Sequence, residues 1–318
     1  MFRLLSAGSA YVIAIAVYAY GIVDSMDYGS NSMEWRSFVT DEPAVAFAEY
    51  KGSVWYATAT SVGSYSLKTN NKDIVTSLGD LPTEGVNDIA VDRSGGLWFG
   101  TQGGVAYTTD GKNFTTYTTE KGLCDNEVHC ILAGPDGTVW AGTNTGLAAY
   151  RGGSWKTYTT ADGLCGMKIR DIAADGGQTV WFATNNGIAV FKGGTWSKLD
   201  KTGGMSSNDV RALAWDDRRG ELWAAVGESD INNYDGKQWN VFMDIQSGIT
   251  CIMADTQSRI WVGSSSGIIK YNGFEWIYDP AKMPFACTQC SKMHRDEGGN
   301  LWFAINSGVI RLNNPYPY

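Results

Sequence analysis

The sequence predicts an all-β fold, a seven-bladed β-propeller of four-stranded blades closed by an N-terminal strand that completes the last blade. Three observations predict it. The first is a repeat: an aliphatic residue and a Trp, then small or aromatic residues and a polar, Gly-rich turn. It reads VWYAT, LWFGT, VWAGT, VWFAT, LWAAV, IWVGS and LWFAI, around Trp55, Trp98, Trp140, Trp181, Trp223, Trp261 and Trp302. The second is the period. Spacings of 43, 42, 41, 42, 38 and 41 residues are what four short strands and their turns consume in one blade. The third is a pair of complementary ends. After residues 308–312 no outer strand follows, whereas residues 34–39 (EWRSFV) read as an outer strand with no inner strands before it. Joining the two leaves few open edges.

The unit around Trp98 shows how each element arises. Residues 87–91 form the innermost strand, and Asp92-Arg93-Ser94-Gly95-Gly96 is a hairpin of the type Asp and Gly favour. Residues 97–101 are the second strand and, after Gln102-Gly103-Gly104, residues 105–108 the third. Asp110-Gly111-Lys112 turns the chain into an outer strand at 113–118. Later outer strands begin at Trp155, Trp196, Trp239 and Trp276, the last reading Trp276-Ile277-Tyr278. Each unit buries its faces only against its neighbours, so residues 33–318 form one object despite their length. Residues 24–32 read as a linker.

Residues 1–23 are separate. Arg3 is followed by an uncharged, mostly apolar run from Leu4 to Val23. A cleaved signal peptide fits the basic start and the small residues near Ala19. A retained anchor fits the length equally. Both place the propeller outside the cytoplasm. A net charge of −8, with no local run of Lys or Arg, excludes a nucleic-acid partner, which requires a basic stripe.

The repeated Asp, the Gly, the aliphatic-Trp-(small or aromatic)-(Gly or Ala)-Thr block and the following Gly-aliphatic pair resemble the two-component-regulator propeller repeat over residues 33–318. The resemblance implies a seven-bladed fold, similar to that of the streptogramin lyases. In this family such repeats often form extracytoplasmic sensor regions of hybrid histidine kinases that detect glycans. The 318 residues hold neither a second propeller nor a kinase pattern, so a signalling role requires a partner.

Inner strands begin, and second strands end, on one face of a propeller, the usual ligand surface. There the inner-strand starts carry Asn87, His129, Arg170, Arg211, Thr250 and Ser291, and the turns carry Asn144, Asn185, Glu228 and Asn306. The units keep their apolar positions and vary here. Amides, hydroxyls and two guanidinium groups suit an anionic or polyhydroxylated ligand, with Arg170 and Arg211 clamping a carboxylate or sulfate. The bland alternative is that Asn, Ser and Thr make turns. Asp92, Asp175, Asp216, Asp255 and Asp296 recur in register on the opposite face, which points to hairpin chemistry rather than catalysis.

Six cysteines form two groups, Cys124, Cys130 and Cys165, then Cys251, Cys287 and Cys290, each with one of the two histidines, His129 and His294. Zinc is disfavoured. His129 and Cys130, adjacent on a strand, should point to opposite faces, and His294 lies about 13 Å along a strand from Cys290. Export makes disulfides the default, although three cysteines per group cannot all pair locally. No cofactor or metal is expected. Catalysis has little support, since His129 is the only histidine available at the mouth as a general acid or base. The expected function is therefore recognition of a glycan or other anionic, hydroxyl-rich molecule. The alternative is a surface or filament subunit that meets other copies or a membrane partner through its retained N-terminus, and a lyase-like enzyme ranks third.

Overall fold

The computed structural model describes residues 35–69, 71–77, 85–244, 248–277 and 287–313. The apolar segment 1–23, the linker 24–32 and Tyr278 lie outside them. Among the described residues, no helix is long and apolar enough to cross a membrane.

Seven four-stranded antiparallel sheets surround an axis. Their inner strands are Ala46–Tyr50, Val86–Val91, Val128–Ala133, Ile169–Ala174, Val210–Asp216, Ile249–Ala254 and Cys290–Arg295. Blades one to six run outward in chain order. Blade seven runs from Cys290–Arg295 through Leu301–Ile305 and Gly308–Leu312 to Trp35–Val39. Trp35 opposes Leu312 and Val39 opposes Gly308, so the chain's two ends share one sheet and close the ring as expected. The outer strand of blade two is shorter than expected, Thr115–Tyr117. The Asp110 carboxylate accepts the amides of Lys112 and Asn113, both at 2.8 Å, and keeps the preceding residues in a turn.

The variable residue after each repeat Trp has a packing cause. Each Trp packs toward the next blade and shares a buried cluster with the residue that follows that blade's own Trp. Trp55 meets Phe99, Trp98 meets Ala141, Trp140 meets Phe182 and Trp181 meets Ala224. Trp223 meets Val262, Trp261 meets Phe303 and Trp302 returns to Tyr56 of blade one. The last pair closes the ring by apolar burial as well as by strand pairing. All seven indoles are buried.

The recurrent aspartates are structural. Asp92 Oδ1 accepts the amides of Ser94 and Gly96 while Oδ2 accepts the Trp98 indole at 2.7 Å. Asp255 and Asp296 hold Trp261 and Trp302 in the same way, at 3.0 and 2.9 Å. Asp175 accepts hairpin amides, and Asp216 accepts hairpin amides and the Ser258 hydroxyl of the next blade at 3.0 Å. The Gly that opens the third strand is also explained. Gly104 has φ 134°, and a Cβ there would sit 2.2 Å from the Tyr117 carbonyl oxygen.

Candidate functional site

Six of the seven inner strands carry a β-bulge at their second residue. In blade two, Val86 opposes Thr101 and Asp88 opposes Gly100, leaving Asn87 as the extra residue. The same shift singles out His129, Arg170, Arg211, Thr250 and Ser291. Bulges re-aim side chains. Here they deliver the most variable residue of each unit, together with its neighbour in every bulged blade but the fifth, to one axial cavity of about 970 Å³. Blade one has no such shift and presents Val45 to the cavity.

The bulge breaks strict alternation at His129. Both His129 and Cys130 border the cavity, while the Cys130 sulfur packs against Gly142 in the interblade core. Among the described residues no three His, Cys, Asp or Glu side chains gather as a metal site.

Three rings of chemistry follow along the axis. At the mouth, side chains reach to the next blade: Asn87 Nδ2 donates to the Val128 carbonyl at 2.8 Å, Arg170 to the Val210 carbonyl at 3.2 Å, and Thr250 to the Cys290 carbonyl. One residue further, Asp88 and Asp171 each accept an amide of their own strand and one of the next blade, from Ile131 and Leu213 respectively. Lys292 of blade seven then reaches past blade one to Asp88, with Nζ to Oδ2 2.9 Å. Below these lies a collar with one large apolar residue per blade: Phe47, Ile89, Ile131, Ile172, Leu213, Ile252 and Met293.

The electrostatics follow from this knot. Burial in the channel works against the Lys292 charge, but Asp88 and Asp171 outweigh it and hold the ammonium above the usual lysine range. Burial raises the Asp171 carboxyl, and Lys292 opposes that rise. Burial, then Asp171 and Asp88, push the Cys130 thiol well up. His294, an exposed residue, borders the cavity two positions after Lys292.

The two arginines are not equivalent donors. Arg170 is ion-paired with Asp209 as well as bonded to the Val210 carbonyl. Arg211 Nε is ion-paired with the other Asp209 oxygen at 3.6 Å, beyond hydrogen-bond distance, and is buried without a hydrogen-bond partner. The pair therefore flanks a carboxylate of the protein itself, leaving Arg211 the available guanidinium. His129 Nε2 is likewise buried and unpaired.

Four expected residues lie outside the cavity. Asn144 donates to Glu127 at 2.7 Å, Asn185 accepts the Lys168 amide at 3.3 Å and Asn306 accepts the Thr288 amide at 3.0 Å. Each braces the loop leading into its own inner strand, so for these three the turn reading fits. Glu228 is exposed on its turn. Sequence reasoning missed Asp88, Asp171 and Lys292. Charged residues one place past a variable ring were the available signal, masked by the assumption of simple alternation.

None of the six cysteines is joined to another in the structure. Cys124 and Cys165 occupy the same place in successive units, and each lies against a threonine of its own blade, Thr143 at 3.3 Å and Thr184 at 3.4 Å. Cys130 packs beside Ile169.

The two component regulator propeller model matches residues 80–103 and 122–145, inner-strand regions and second strands of blades two and three. No curated protein matches the sequence. Among solved structures, a streptogramin B lyase superposes with TM-score 0.69 at 17% identity, over 88% of this chain and 97% of that one. The extracellular domain of a hybrid two component system from B. thetaiotaomicron gives 0.68 at 15% identity, over 86% of this chain and only 40% of that one. YCF48 from Cyanidioschyzon merolae gives 0.67 at 12%, over 88% and 98%. At such identities the likeness concerns the fold alone, and that fold carries unrelated functions. Repeat pattern, family match and seven closed blades agree: the chain is a seven-bladed propeller that carries two component regulator propeller repeats at residues 80–103 and 122–145.

Proposed function

We propose that this protein is a non-catalytic recognition propeller, acting outside the cytoplasm, that binds an anionic, hydroxyl-rich ligand such as an acidic glycan at the mouth of its axial channel. One observation carries the reading. Bulges in six blades aim the variable residues into one cavity, where Arg211 and His129 keep polar atoms without hydrogen-bond partners. Arg211 supplies the direct contact. Arg170 positions it through the shared Asp209. The lyase likeness adds no catalytic group, because fold does not carry chemistry.

A charge-assisted hydrogen bond contributes about 1.5–3 kcal/mol, so Arg211→Ala should weaken an acidic glycan roughly ten- to a hundredfold. Arg170→Ala should weaken it less. Binding of wild type and both variants to an array of neutral and acidic glycans tests this. Equal binding by wild type and Arg211→Ala, or no binding by wild type, refutes the ligand reading. The weight then moves to the assembly subunit, for which mass spectrometry should find residues 2–23 retained in the mature protein.

A further inference from the structure

Blade six meets blade seven through an arrangement found nowhere else among the described residues. Cys251, third in its inner strand, and Cys290, first in the next, bring their Sγ atoms within 4.0 Å. Cys290 is fully buried and Cys251 lines the channel wall. Gly263 makes room for them, since a Cβ there would sit 2.5 Å from Cys251 Sγ and 3.1 Å from Cys290 Cβ. The junction between blades three and four is an internal control. There Cys130 faces Gly142 with the same 2.5 Å spacing, but the residue in the place of Cys290 is Ile169. The geometry that seats one cysteine recurs, whereas the second thiol is confined to the junction that leads into the blade closed by the N-terminal strand.

We propose that Cys251 and Cys290 are a two-electron oxidation site, forming an interblade disulfide on reaction with a low-molecular-weight disulfide such as glutathione disulfide. Cys251 is reached from the channel. Its thiolate attacks the reagent and releases one reduced thiol. The Cys290 thiolate then attacks the mixed disulfide at the Cys251 sulfur and releases the second. Two protein thiols are oxidised to one disulfide, and one reagent disulfide is reduced to two thiols. The sulfurs must approach by about 2 Å to reach bonding distance. Burial and the neighbouring Cys251 raise the Cys290 thiol, so the closing step should quicken as pH rises from 7 to 9. The bond encloses the whole of blade six, a long loop in the unfolded chain, and therefore favours the closed ring. It also fixes Thr250 and Ser291, the mouth residues next to the two cysteines.

The test treats the full chain with glutathione disulfide, then quenches, unfolds and alkylates it. Peptide mapping should show Cys251 joined to Cys290, with Cys130 still alkylatable. The melting temperature should rise by about 5 °C or more and return on reduction. Cys290→Ser should remove the rise and Cys130→Ser should keep it. Both cysteines remaining fully alkylatable would overturn the proposal. So would pairing of Cys290 with Cys287, or a stoichiometric soft metal ion held by the pair in purified protein.

Discussion

Replacing Lys292 with Met removes the charge that reaches across the channel to Asp88 while keeping the length and apolar stem of the side chain. The partner Asp88 carboxylate is 3% exposed, and the Lys292 side chain is 32% exposed. Removing one member of a buried pair costs about 3–5 kcal/mol. Asp88 keeps its two amide donors, Ile89 and Ile131, and water reaches the vacated position, so the expected loss is about 2–3 kcal/mol. Urea unfolding followed by tryptophan fluorescence should show a midpoint lower by roughly 0.5–1 M. The loss should depend on pH in a defined direction. Asp171, already raised by burial, loses the opposing pull of Lys292, so its folded pKa climbs further above the unfolded value of about 3.9. An acid shifted upward destabilises the fold as pH rises through that interval. The variant's deficit should therefore be larger at pH 7 than at pH 4. A midpoint within 0.2 M of wild type, or a deficit that grows on acidification, would refute the account of the channel as an ionic knot.

Three further outcomes follow from the same structure. Wild type should lose stability only at strongly alkaline pH as Lys292 deprotonates. Its contribution is complete below the unfolded lysine value of about 10.4 and disappears as pH rises through the higher folded value, which a thermal-melt series from pH 8 to 12 would reveal. Deleting residues 33–40 strips the strand paired with Gly308–Leu312 and should replace one cooperative melt with a broadened transition or aggregation; a truncated chain that melts like the parent contradicts velcro closure. Asp92→Ala removes two hairpin amide acceptors and the Trp98 indole acceptor and should cost about 2–3 kcal/mol by chemical denaturation, with an unchanged midpoint counting against the role given to the recurrent aspartates.

The sequence by itself determined the fold and its closure. Trp spacing, turn residues and the complementary ends are local features, and each blade depends only on its neighbours. The differing size of the residue after each Trp was legible as variation, but its meaning needed the partner, because Phe99 answers Trp55 and Ala141 answers Trp98 across blade boundaries. The variable mouth ring was also legible, and Asn87, His129, Arg170 and Arg211 do line the cavity. What only the tertiary structure decided was the chemistry of that ring. A bulge adds one residue to a strand without changing its composition, so the bordering of the channel by both His129 and Cys130 could not be read from alternation. Closing the ring brings residues 204 positions apart, Asp88 and Lys292, into contact. It also places Asp209 between two arginines and Cys251 beside Cys290. Such pairings depend on the angle between blades and on side-chain reach across the axis, which no spacing along the chain encodes.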